Sequence, residues 1–354
     1  MSGFSIFIVA LILARGTASL GYRLRLVDHP DARKQHRGAV PLTGGIAIFI
    51  TILAGTFALD ITPYTRSMLA IACAVFMVGV FDDFRHIRAS TRLLIQYGSG
   101  ILLATYGGIA IHNVGDLLAV GDIHLLMLTV PLTALAVAGL CNAYNMIDGI
   151  DGLAAATISL PMLVLYVLAL WAGHPMAYTL LLMLLPLGVF LLFNLGPNNP
   201  LMPKIFLGDG GSVTLGFMVS ASLVYFSQGD TALIKPVTAL WLVALPLMDM
   251  LATMLRRLQQ GRPLMRADRS HLHHTLLDLG LGPRWTLLLL LGWSGLCAGA
   301  GLALEAVPAY LSLLCYFLVF GAHCALVTRL DRTEPYRDTE RESYAIDSQS
   351  LERA

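Results

Sequence analysis

Apolar runs long enough to cross a lipid bilayer recur along almost the whole chain, and they constrain the fold more than any motif does. A helix of about 17–25 apolar residues spans the hydrocarbon core. Eleven stretches qualify: roughly 3–22, 43–61, 67–82, 93–111, 124–144, 153–172, 176–194, 213–228, 236–255, 286–304 and 309–328. The 67–82 and 213–228 runs are the short ones. Backbone polar groups inside a bilayer must be satisfied within the segment, so such a series implies helices. The expectation is an all-α polytopic membrane protein of about eleven transmembrane helices over residues 1–330. A mixed-charge tail over 331–354 follows, too poor in apolar residues to fold alone, and is expected to be disordered or an exposed helix. Composition agrees: 56% of the 354 residues are hydrophobic and 13% charged, with a mean hydropathy of +0.72. Soluble domains are about a quarter charged.

Where the charge lies sets the orientation, because Lys and Arg concentrate in cytoplasmic loops. Of the 23 Lys and Arg residues, only Arg15, Arg66 and Lys235 fall outside one set of alternate loops and the tail. With eleven spans this places the N-terminus outside and the C-terminus in the cytoplasm. The first run lacks a positive leader and a cleavage site, so it is expected to remain as a span. The five cysteines are scattered through apolar runs without C-x-x-C spacing and read as core residues. No internal repeat is evident, which weakens a transporter built on inverted repeats.

Polar clusters interrupt this pattern on the cytoplasmic side. In Asn142-Ala143-Tyr144-Asn145-Met146-Ile147-Asp148-Gly149-Ile150-Asp151-Gly152, two amides and two carboxylates sit between apolar runs. Ionisable groups there are costly unless they face a polar cavity. On a helix Asp148 and Asp151 would share a face; in a turn Gly149 and Gly152 would admit a ligand close to the backbone. Capping alone needs one such residue, not four. Asp82-Asp83 closes the 67–82 run; neighbouring carboxylates repel, and a nearby cation relieves this. Arg92, nine residues on, is placed to be a phosphate ligand or a positive-inside membrane anchor. Phe206-Leu207-Gly208-Asp209-Gly210-Gly211-Ser212 combines a glycine-rich entry to a helix with one hard oxygen ligand. It lacks the Lys-Ser/Thr ending of a P-loop.

Asp268-Arg269-Ser270-His271-Leu272-His273-His274 lies in the longest cytoplasmic loop. Without a cysteine or H-E-x-x-H partner, and with Arg269 among them, these histidines favour an anion over zinc. Asn194 and Asp249 are single polar residues in apolar runs, and Lys34 is positioned to attract an anionic head group. The clusters together ask for a phosphate-rich substrate and a hard divalent metal, the requirements of phosphoryl transfer.

In order and spacing, Asp82-Asp83, Asn142–Gly152, Phe206–Ser212 and the Asp268–His274 loop resemble the polyprenyl-phosphate N-acetylhexosamine-1-phosphate transferase family. The resemblance covers nearly the whole chain except the tail. Pro236–Met250 and Asp-Arg-x-His-x-His-His are closest to its WecA-like branch; Leu272 interrupts the three consecutive histidines usual in the muramyl-pentapeptide branch. The resemblance implies a reaction dependent on Mg²⁺, with Mn²⁺ as a substitute. A UDP-sugar, expected to be UDP-GlcNAc, and undecaprenyl phosphate give a sugar-diphosphate lipid and UMP, initiating a cell-surface polysaccharide. The implied site is at the cytoplasmic face of the bacterial inner membrane. By the same resemblance Asp209 would hold the metal with Asn145 as a second ligand, and Phe206 would stack the uracil. Asp148, Asp151, Gly149, Asn142 and Asn194 would line the nucleotide pocket. Arg92, Arg269, Lys34, His271, His273 and His274 would take phosphate charge, and Asp82 and Asp83 would sit by the lipid phosphate.

A phosphate monoester with a second pKa of about 6 is already mostly dianionic at neutral pH. Asp82 and Asp83 are therefore expected to organise charge more than to remove a proton. Two rivals remain: a CDP-alcohol phosphotransferase, whose D-G-x-x-A-R segment is missing its arginine here, and a transporter of a phosphorylated sugar or lipid. No nucleic-acid partner is expected. Neither the sugar nor a homodimeric state is decided by any pattern in the sequence.

Overall fold

The structure, a computed structural model, describes residues 2–29, 38–61, 64–263 and 271–332. Lys34, Arg269 and the tail beyond residue 332 lie outside the described residues. Thirteen α-helices form among the described residues: α1 (Ser2–Leu24), α2 (Gly44–Leu59), α3 (Arg66–Arg85), α4 (Ala89–Thr105), α5 (Thr129–Ile147), α6 (Leu153–Trp171) and α7 (Ala177–Leu195), then α8 (Gly208–Tyr225), α9 (Pro236–Leu242), α10 (Ala244–Gln259), α11 (Leu272–Asp278), α12 (Pro283–Ala303) and α13 (Ala309–Arg332).

Every expected apolar run coincides with helix, though not every one of these helices is long and apolar enough by itself to cross a membrane. Among the described residues, seven helical segments are long and apolar enough to cross a membrane: those of α1, α3, α5, α6, α7, α12 and α13. They become eight if α9 and α10, bent by 80° at Val243, form one broken span. The other expected spans fall short for physical reasons. α2 has 16 residues and α4 has 17. α8 is rich in Gly and Ser, and every residue in it except Asp209 and Tyr225 is buried. A helix wrapped in protein has little need to be apolar.

Glycines let other helices close on α8. A Cβ on Gly79 of α3 would stand 2.6 Å from the Gly210 Cα, and one on Gly45 of α2 would overlap Gly211. On the other side, a Cβ on Gly216 would come 2.9 Å from the Cys141 Cα of α5. Small residues at such seams permit backbone approach that larger side chains forbid. α8 is therefore the hub, and the ends of its neighbours are drawn to its N-terminus. A two-residue antiparallel ladder, β1 (Val27–Asp28) with β2 (Val40–Pro41), precedes α2 and had no sequence signal. It presents Pro41 O to Phe206 N at 2.8 Å, while Gly44 N and Gly45 N donate to Phe206 O and Leu207 O. The segment entering α8 is thereby fixed on the α2 side.

Candidate active site

Four helix ends meet at the N-terminus of α8. From the last turn of α3, Asp83 accepts the backbone N–H of Asp209 at 2.7 Å on Oδ1 and that of Gly210 at 3.0 Å on Oδ2. It thus caps a helix other than its own, satisfying donors that every helix start leaves open. Gly208 enters the helix at φ +76°, a left-handed conformation that glycine adopts without strain. Asp82 is buried and turns elsewhere: Oδ1 accepts Ile87 N at 2.5 Å, and Oδ2 meets Arg92 at 2.9 Å. The same Arg92 Nη1 lies 3.0 Å from Asp209 Oδ2, so one guanidinium nitrogen from the first turn of α4 links two carboxylates. Asn145, near the end of α5, donates to Asp209 Oδ1 at 2.9 Å and to Ser212 Oγ at 3.0 Å. Two carboxylates thus share one arginine, with Asp83 close by on the α8 N-terminus and the Asp209 side chain 39% exposed.

The Asn142–Gly152 stretch divides in two. Asn142 and Asn145 stay on α5, whereas Asp148–Gly152 form a turn, so Asp148 and Asp151 do not share a helical face. Asn142 reaches away from Asp209, donating to Gln96 Oε1 at 2.5 Å and tying α5 to α4. Asp148 and Gly149 are exposed, and Asp151 pairs with Lys204. Lys204 also lies 5.5 Å from the centre of the half-buried Phe206 ring. Asn194 is buried and donates to Ile205 O at 2.9 Å, holding the segment that carries Phe206.

The histidine segment reaches the same end of the bundle. His271 Nδ1 and Asp249 Oδ2 are 2.8 Å apart, both residues buried, and Asp249 Oδ1 accepts Leu272 N at 2.8 Å. Asp249 therefore caps α11 as Asp83 caps α8. The His273 ring packs on the turn, where a Cβ on Gly149 would overlap its Nε2. His273 and His274 have ring centres 4.1 Å apart. The sequence missed Lys204 as a site residue and left Asp249 open between structural pairing and function. Lys204 reads as one more positive loop residue, and Asp249 as one polar residue in an apolar run. Both partnerships cross distant parts of the chain.

A family model described as glycosyl transferase family 4 matches residues 65–227. The chain is 32% identical over 321 residues to the undecaprenyl-phosphate alpha-N-acetylglucosaminyl 1-phosphate transferase of Escherichia coli (strain K12), with 89% of this chain and 87% of that protein covered. It is 32% identical over 323 residues, with the same coverage, to the protein of that name from Yersinia pestis. The chain belongs to glycosyl transferase family 4. A probable undecaprenyl-phosphate N-acetylglucosaminyl 1-phosphate transferase of Bacillus subtilis (strain 168) is 30% identical over 317 residues, covering 88% of this chain and 86% of that protein. The match to family 4 runs from the start of α3 to the end of α8 and so contains the whole acidic centre.

Magnesium is what the family 4 resemblance implies, and the donor set fits it in one form only. Among the described residues no three His, Cys, Asp or Glu side chains gather into a closed metal cage. Magnesium seldom uses one; it takes one or two carboxylates and leaves its remaining positions to water and substrate phosphates. Asp209, partly exposed and beside Asp82, offers that open arrangement. Asn145 would act chiefly by orienting Asp209, to which its amide donates.

Proposed function

We propose that the protein transfers N-acetylglucosamine 1-phosphate from UDP-GlcNAc to undecaprenyl phosphate and releases UMP. The observation that carries this reading is the convergence of Asp82, Asp83, Asp209, Asn145 and Arg92 on one helix N-terminus, in a chain whose relatives bear that activity in their names. Three carboxylates balanced by one guanidinium invite a further cation, and a diphosphate substrate brings anions that need one. Magnesium bound at Asp209 would supply that charge and a hard Lewis acid.

An oxygen of the lipid phosphate attacks the phosphorus that bears the sugar. The new P–O bond forms as the bond to the bridging oxygen breaks, and UMP leaves with that oxygen. The lipid phosphate needs little deprotonation, so the task of the residues is positioning and charge neutralisation. Arg92 is placed to turn from the carboxylates to a phosphate. Asp83 keeps the α8 N-terminus in place, and Asp82 keeps Arg92. Asp148 and Asp151, in the turn against His273, form the nucleotide side. His271 acts through Asp249 to seat the start of α11. A single in-line displacement suffices, because the nucleophile is already charged.

The arginine-rich loops put this end of the bundle in the cytoplasm. Read as eleven crossings, three of them by the short or buried helices α2, α4 and α8, the chain would have its N-terminus outside and its C-terminus inside. The test is UMP release from UDP-GlcNAc by membranes holding the protein, with undecaprenyl phosphate and Mg²⁺, and Asp209→Asn as control. Release that requires lipid, metal and Asp209 supports the reading. No release, with uptake of substrate into sealed vesicles, overturns it.

A further inference from the structure

One helical turn beyond Arg92, a buried amide pair has no part in the reaction as described. Gln96 of α4 is only 3% exposed. It follows Arg92 at the i+4 position, so both side chains share one face of the helix. Asn142 of α5 donates from Nδ2 to Gln96 Oε1 at 2.5 Å and to Ala138 O at 2.8 Å. A backbone carbonyl only accepts, so the Ala138 contact fixes which end of Asn142 is nitrogen. The atom that this nitrogen meets on Gln96 must then be the oxygen. With its oxygen committed to α5, Gln96 turns Nε2 the other way, and no acceptor among the described residues meets it.

Gln96 lines a cavity of about 20 Å³ together with Asp82 and Arg92. Val75, Val78 and Gly79 of α3, with Ile95 and Val213, close the rest of its wall and add no polar side chain. The space suits a single water, which stays where it finds two or more polar partners. An amide nitrogen donates, and a carboxylate oxygen accepts through more than one lone pair. A water here accepts from Gln96 and donates to Asp82, whose Oδ2 already meets Arg92 at 2.9 Å. It also gives the amide the acceptor without which a buried donor is costly.

We infer that Gln96 is a positioning residue: through one water held between α3, α4 and α8 it fixes the Asp82 carboxylate, and through that the Arg92 guanidinium. Asn142 completes the device by fixing the amide of Gln96. Its consequence for turnover rests on the transferase reading above, whereas the link itself does not.

Two full-length variants separate the donor from the rest of the side chain. Gln96→Glu keeps an oxygen for Asn142; its carboxyl offers an O–H donor when protonated and none when ionised. Gln96→Met keeps the bulk and removes both polar ends. UMP release is followed across the pH range in which wild type is stable. The kcat of Gln96→Glu relative to wild type should be highest at low pH and fall about tenfold as the introduced carboxyl ionises. Gln96→Met should stay low at every pH. A flat ratio for Gln96→Glu, or wild-type kcat in Gln96→Met, shows that Gln96 only joins α4 to α5 and overturns the inference. Thermal unfolding of Gln96→Met, Arg92→Met and the double variant reads the link without turnover. Linked residues give a double variant whose loss is smaller than the sum of the single losses. Strictly additive losses overturn the link. Wild type that releases no UMP, with non-additive unfolding, retires the transferase reading and leaves the link standing.

Discussion

Asp82 and Asp83 are neighbours in sequence with opposite obligations, one to an arginine and the other to the start of a distant helix. Removing Asp83 leaves two backbone N–H groups of α8 without an acceptor, a change of about 1–3 kcal/mol. Asp83→Ala is therefore expected to lower the melting temperature and kcat together, and Asp83→Asn, which keeps one acceptor oxygen, to do less of both. Equal unfolding curves for wild type and Asp83→Ala would show that the cap is idle. Asp82→Asn is expected to lose activity at every pH if the task of Asp82 is to hold Arg92. Recovery of its kcat at high pH would instead make Asp82 a general base. Gly149→Ala meets the His273 ring and is expected to cost at least tenfold in kcat/KM, roughly 1.4 kcal/mol or more. Gly139→Ala in α5, which meets nothing within 4 Å, should leave kcat/KM unchanged. At this scale the sequence was informative about which residue types matter and silent about pairing. The Asp82-Asp83 doublet, the Asp209 loop and the Asn142–Gly152 stretch were all visible. That Asp83 serves an N–H 126 residues away was not, because no periodicity carries a contact of that range.

Single helices show where periodicity informs and where it stops. Runs of apolar residues located all the long helices, since lipid and core both select for them. The break between α9 and α10 escaped this reading, although Pro246 in the first turn of α10 marks a helix that starts anew there. The short α11 is invisible to hydropathy because it is seated by one buried carboxylate, Asp249. Asp249→Ala would leave His271 and Leu272 N unpaired in a buried place, at a cost of about 3–5 kcal/mol. The expected result is a lowered melting temperature and loss of turnover. Retention of both would show that α11 is held by packing alone. Gly79→Ala tests the α3–α8 seam in the same way. By forcing Asp82 and Asp83 away from α8 it should reduce kcat more than any substitution on the lipid-facing side of α3.

For the whole molecule, the arginine-rich loops and the gathered helix ends mark the same side. Asp278→Cys, in a background without the five native cysteines, should react with an impermeant thiol reagent only when the cytoplasmic face is open. Asp122→Cys, in the loop between α4 and α5, should react from the outer face of intact cells. The reverse pattern would invert the orientation. The burial of α8 has a consequence for how the protein is made. The helix that carries Asp209 is buried along nearly its whole length, packed among α2, α3 and α5. All three precede it in the chain, so the nascent protein has already built the berth into which α8 must slot. A polypeptide whose earlier helices are misassembled would leave α8 stranded at the translocon, visible to proteases and without a catalytic centre. Membrane assembly and chemical competence are thereby one event.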